Sequence, residues 1–163
     1  MNIVREILKL VLALLVQVLF FNNMHFMGLC YPFVYVAALV CLPVYDRRIE
    51  MLIGFCMGLV MDIFCSSLGM HTAACVLVSW LRPILLAHLV QDYGRITSSV
   101  SGESVGVSQF VKLAVLLCAL HHAVVFIMDA WGCLSPLWLF LRWLCSTSLA
   151  LLFVLAYGLT RKS

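Results

Sequence analysis

Long apolar runs, broken by short polar clusters, organise this chain. The runs fall at about 4–21, 28–44, 49–65, 70–90, 110–130 and 137–159. Each approaches the ~20 residues that a helix needs to cross a bilayer. The breaks carry turn and charge punctuation: Asn22-Asn23, Asp46-Arg47-Arg48, Ser66-Ser67, a polar stretch at 91–109, Trp131-Gly132 and Ser135-Pro136. The pattern predicts an all-α integral membrane protein, a single domain over 1–163 with six transmembrane helices. Only a tight charged turn divides the second span from the third, and no internal repeat is evident.

Composition agrees with this pattern. The 163 residues are 65% hydrophobic and 10% charged, with mean hydropathy +1.14. A soluble domain of that size would lack the polar surface to cover itself. With six spans, both termini, the second turn and the 91–109 loop share one side. That side holds Arg5, Lys9, Arg47, Arg48, Arg95, Lys112, Arg161 and Lys162, whereas the other loops hold no Lys or Arg. The positive-inside rule then places both termini in the cytoplasm and accounts for the net charge of +3. The first span has a basic start like a signal peptide, but Phe20-Phe21-Asn22-Asn23 lacks a small-residue cleavage pattern, so it is expected to be retained. No basic surface interleaved with aromatics points to nucleic acid. The Ser- and Gly-rich loop at 91–109 is expected to be flexible, and its Gly102 and Gly106 form no phosphate loop.

Eight cysteines include no C-x-x-C pair. Cys41, Cys56, Cys75, Cys118 and Cys145 fall inside apolar runs and read as small hydrophobes. Cys30, Cys65 and Cys133 lie near the outer face, which leaves one disulfide among them open.

Counting Glu6, Asp46, Glu50, Asp92 and Glu103 with the cytoplasmic side, like the eight basic residues above, leaves four charges inside predicted spans: Asp62, Arg82, Asp129 and Arg142. Each costs a few kcal/mol or more in hydrocarbon unless it is paired. At 1.5 Å per residue, Asp62 lies roughly 6 Å below the outer end of its span and Arg142 roughly 8 Å below the start of its own. These depths predict an Asp62–Arg142 pair. Asp129 either shares Arg142 or meets water, and Arg82 either reaches Asp62 or snorkels towards the cytoplasm. Pro83 frees the Ser79 carbonyl and predicts a kink. Gly54, Gly58 and Asp62 recur every four residues and share a helix face, a close-packing stripe that ends in a carboxylate. Adjacent His121 and His122 point about 100° apart, a poor arrangement for one metal, and His25, His71 and His88 are badly placed for haem. Interhelical hydrogen bonding is their expected role, with no cofactor.

The motifs GFCMGLVMD, LGMHTAA, LRP and LHH, together with the order and size of the runs, make the chain resemble the MreD family of rod shape-determining proteins. The resemblance covers nearly the whole chain. It implies a bacterial inner-membrane subunit that binds MreC and works beside MreB, RodA and a class B penicillin-binding protein. It also implies a six-helix fold like the substrate-binding subunit of energy-coupling-factor transporters.

That kinship leaves a second expectation, a vitamin-binding subunit with an outward pocket built from Trp131, Trp138, Asp129, His71 and Arg142. Catalysis is not expected. Asp62 and Asp129 lack the G-x-G-D setting of intramembrane aspartyl proteases, and Ser146, Thr147 and Ser148 read as packing hydroxyls.

Overall fold

A computed structural model of the chain describes residues 3–22, 24, 28–91, 93–96, 99–130 and 135–160, leaving aside the side chains of Ile3 and Arg95. Asn23, His25, Asp92, Trp131, Gly132, Cys133, Arg161 and Lys162 lie outside the described residues. The described chain is mostly helical. Helix α1 (Ile3–Val16) continues into a π-helical stretch, Gln17–Phe21, and a short α2 (Val36–Val40) follows. Next come α3 (Arg47–Cys65), α4 (Met70–Leu89), α5 (Gly102–Val105), α6 (Val107–Asp129) and α7 (Pro136–Thr160).

Local chemistry accounts for the element ends. Asp46 caps α3 by accepting the Arg48 N–H at 3.3 Å. Ser66, at φ 54°, and Gly69, at φ 83°, take left-handed conformations that turn the chain sharply into α4. Ser101 and Ser104 form a reciprocal capping box at α5. Pro136 opens α7, where a missing N–H costs nothing, and Ser135 Oγ accepts the Trp138 N–H at 3.3 Å. Across Pro83, α4 remains a continuous α-helix.

Among the described residues, three helices are long and apolar enough to cross a membrane: α4, α6 and α7. Helix α3 has 19 residues but carries Arg47, Arg48, Glu50 and Asp62. Helix α3 packs mainly on α4, α4 on α6, and α6 on α7. The α1 face bearing Val4, Leu8, Leu12 and Leu15 is exposed, as is Leu19 in the π-helical stretch.

The expected second span is where sequence and structure part. Residues 28–44 contain only the five-residue α2, so this stretch is not a membrane-spanning helix. It is instead the plug of the molecule: Tyr35, Val36, Leu39, Val40 and Cys41 are fully buried, with α4, α6 and α7 around them. Pro32 and Pro43 interrupt helical hydrogen bonding at both ends of the stretch. Irregular backbone away from water needs replacement partners, and side chains supply them. Gln17 Oε1 accepts from the Val34 and Tyr35 N–H groups at 2.7 and 3.3 Å, while its Nε2 donates to the Pro32 carbonyl at 2.9 Å. Ser146 Oγ accepts the Tyr31 N–H at 2.9 Å.

The polar stretch 91–109 is also more structured than a flexible loop. Pro43 and Ser99 form an isolated antiparallel bridge, and Ser99, Val100, Ser101, Gly102 and Val105 are buried.

Candidate functional site

Asp62 is buried at the end of the small-residue stripe. A Cβ on Gly54 would stand 2.8 Å from the Cys75 carbonyl oxygen. One on Gly58 would stand 2.8 Å from the His71 carbonyl oxygen and press on the Thr72 backbone. The stripe therefore faces α4, and the two helices meet backbone to backbone. One turn further on, the Asp62 carboxylate reaches the start of α4. Its Oδ1 accepts from the His71 N–H at 3.0 Å and the Ser67 hydroxyl at 2.5 Å. Its Oδ2 accepts from the Thr72 N–H at 2.9 Å and the Thr72 hydroxyl at 2.5 Å. Gly69, at the N-cap position, has no side chain to offer. Asp62 thus caps α4 from the neighbouring helix, where free N–H groups and the positive end of the dipole compensate its charge.

This arrangement corrects the expected Asp62–Arg142 pair. Arg142 Nη2 instead bonds Asp129 Oδ2 at 3.1 Å. Matching depth was a sound constraint on partners, but four local donors saturate Asp62 without any cation.

Arg82 takes neither of its expected courses. It is fully buried, and its Nη1 bonds Glu50 Oε1 at 2.7 Å. Its Nε donates to the Val40 carbonyl at 3.1 Å and its Nη2 to the Leu42 carbonyl. Val40 is the last residue of α2 and Leu42 lies just beyond its C-cap, so the cation sits at the end of the helix where free carbonyls point. Glu50 also accepts the Tyr45 N–H at 3.2 Å through the same Oε1. The Arg82–Glu50 pair therefore ties the plug, α3 and α4 together at the end opposite Asp62.

Between these ends lies a buried polar row. The Tyr35 hydroxyl sits 3.1 Å from His71 Nδ1 and 2.7 Å from His121 Nε2. The His122 Nδ1–H donates to the Cys118 carbonyl, one turn back, at 2.8 Å. The Phe33 ring packs among the three imidazoles, with centroids 4.9 Å from His71, 5.9 Å from His121 and 5.3 Å from His122. His121 thus bonds the buried 31–43 segment, whereas His122 bonds its own helix. Among the described residues, no group of three or more His, Cys, Asp or Glu side chains is placed to hold a metal ion. Cys30 and Cys65 are free thiols.

At the Asp62 end a cavity of about 330 Å³ opens between the Gln17–Phe21 stretch, the 31–33 segment, the turn from α3 into α4, α6 and α7. Of the expected pocket residues, His71, Asp129 and Arg142 line it; Trp138 does not, and Trp131 lies outside the described residues. The Arg142 guanidinium carbon lies 4.7 Å from the Tyr31 ring centroid and 5.1 Å from that of Phe126, a cation–π stack on two aromatics. Arg142 is 8% exposed, whereas the Asp129 side chain is 41% exposed.

No family model, no curated protein and no solved structure matches this chain.

Sequence reasoning missed Gln17, Glu50 and Tyr35. Gln17 had a legible signal, a lone amide in the first apolar run. Glu50 was assigned to the cytoplasmic flank, because nothing local reveals that Arg82 draws it inside.

Proposed function

We propose that this protein is a non-catalytic membrane scaffold subunit of the bacterial cell-elongation machinery. In this reading it sits in the inner membrane with both termini cytoplasmic, binds MreC, and works beside MreB, RodA and a class B penicillin-binding protein. One observation carries the reading: the residues behind the resemblance to the MreD family are the ones that hold the fold together. The GFCMGLVMD segment supplies the α3 face and the α4 cap, LGMHT supplies the helix start that is capped, and LRP supplies the buried Arg82. A catalyst needs polar groups free to act on substrate, whereas Asp62 and Arg82 are engaged with backbone and neighbouring side chains. Apolar side chains on the outside of α1, α3 and α7 leave room for lipid and partner helices.

The outer cavity, with Asp129, Arg142 and His71 in its lining, favours a second reading: the substrate-binding subunit of a vitamin transporter. Depletion of the protein in its own host separates the two. The scaffold reading predicts rounded cells on every medium, and crosslinking in native membranes that captures a single-span partner with a large periplasmic part. Cells of normal shape with a vitamin requirement, and an ABC-type ATPase among the crosslinked partners, would overturn it.

A further inference from the structure

We propose that the groove between the start of α3 and the end of α4 binds one anionic phospholipid. Arg47 and Arg48 hold its headgroup phosphate, and its acyl chains lie along the exposed faces of the two helices. The proposal rests on this groove and on the membrane-spanning length of α4, and it stands apart from the scaffold reading.

The groove has a volume of about 660 Å³. Arg47, Arg48 and His88 line it together with Pro83, Ile84 and Ala87, so basic groups and an apolar floor meet in one place. Tyr45 and Tyr93 complete the lining, and such rings favour the boundary between lipid and water. The His88 Nδ1–H donates to the Ile84 carbonyl, one turn back, at 2.8 Å.

The placement of the two arginines is the unusual feature. They are the first two residues of α3, at the positive end of its dipole. Basic side chains there oppose the dipole and repel each other. Both are exposed, and neither forms an ion pair among the described residues. The acids beside them are engaged elsewhere. Asp46 accepts the Arg48 N–H as the α3 cap, and buried Glu50 pairs with Arg82. Two arginines against one aspartate leave the groove with an excess of positive charge. An anion from outside relieves that excess, and phosphate oxygens match the planar fork of a guanidinium.

The surroundings select a lipid over a free phosphate. Leu52 stands one turn from Arg48 along α3, and Trp80 one turn from Ile84 along α4. Both are exposed, so apolar surface continues from the groove towards the middle of the two helices. Acyl chains suit that surface, whereas a free phosphate makes no use of it. Helix α4 is long and apolar enough to cross a membrane, which puts its end at the level of lipid headgroups.

The test is native mass spectrometry of the full chain in detergent micelles. The micelles carry phosphatidylglycerol, which is anionic, and phosphatidylcholine with the same acyl chains, in equal amounts. Among singly lipid-bound species, phosphatidylglycerol is expected to exceed phosphatidylcholine about fivefold, the factor for one net basic charge at a membrane surface. Arg47→Gln combined with Arg48→Gln should abolish that preference. Arg5→Gln combined with Lys112→Gln removes two charges from the same predicted side but outside the groove, and should leave it intact. Ala87→Phe fills the floor without changing charge and should lower the preference as well. Far-UV circular dichroism and elution volume establish that each variant is folded. If the double arginine variant fails that check, the exposed Ala87 position decides. Equal retention of the two lipids by wild type overturns the proposal, as does an unchanged preference in folded Ala87→Phe. Loss of preference in the Arg5 and Lys112 variant also overturns it, because the diffuse field of that side would then be the cause. Glycerol phosphate in about twentyfold excess should displace no phosphatidylglycerol. Displacement would assign the groove to a free phosphate and overturn the lipid.

Discussion

At the scale of single residues, stability turns on three buried charges, Arg82, Glu50 and Asp62, that are compensated in different ways. Arg82 and Glu50 are both fully buried, so removing one strands the other. Arg82→Met is expected to cost roughly 3–5 kcal/mol, with Glu50→Met similar. The double substitution should be milder than the sum of the two, measured by unfolding in mixed micelles; strictly additive losses would exclude the pair. Asp62 is a different case, because its compensation comes from N–H and O–H groups. Asp62→Ala should cost about 1–2 kcal/mol through the lost cap, and Asp62→Asn less. Combined with Arg142→Gln, the effect should be additive, since the two residues share no partner. A coupling well above about 0.5 kcal/mol would restore the direct pairing that sequence depth suggests.

At the scale of elements, the α3–α4 hairpin and the buried 31–43 segment make separate demands. A side chain at either glycine of the α3 stripe runs into α4. At Gly58 the obstruction is the Thr72 backbone and the His71 carbonyl, whereas at Gly54 part of it is the movable Ser79 hydroxyl. Gly58→Ala should therefore destabilise more than Gly54→Ala, by about 1–3 kcal/mol against a smaller loss. The comparison is made by thermal melting in detergent, and equal shifts would deny that backbone contact sets the spacing. For the 31–43 segment, Gln17→Leu removes three hydrogen bonds while preserving volume. Amide exchange at Val34 and Tyr35 should accelerate strongly, with little change in the middle of α6. Unchanged exchange at Val34 would mean that the segment holds its own shape.

At the scale of the whole molecule, the two ends are chemically unlike. One carries the cavity, the α3–α4 turn and the Asp129–Arg142 pair. The other gathers Asp46, Arg47, Arg48, the Pro43–Ser99 bridge and the last turn of α7, where Leu159 lies against Gly102. Basic flanks predict that this second end faces the cytoplasm. Reporter fusions active only in the periplasm should be silent at Ser101 and after Ser163, and active at Asn23. Periplasmic activity at Ser163 would invert or break that orientation.

The sequence by itself determined what is local. Apolar run lengths marked α4, α6 and α7, the polar breaks at Asp46-Arg47-Arg48, Ser66-Ser67 and Ser135-Pro136 marked where α3, α4 and α7 begin, and four-residue spacing put Gly54, Gly58 and Asp62 on one face. These features depend on a few neighbouring residues, so periodicity and turn chemistry reveal them. Only the tertiary structure decided the partners. Asp62 meets a helix start, Arg82 meets Glu50 from 32 positions away, and Tyr31 meets Ser146 from 115 positions away. It also decided the form of 28–44, whose apolar composition suits a helix and a packed plug equally well. A helix satisfies its backbone within itself, so its sequence announces it. An irregular buried segment borrows donors and acceptors from distant side chains such as Gln17, and that debt is visible only when the chain has folded.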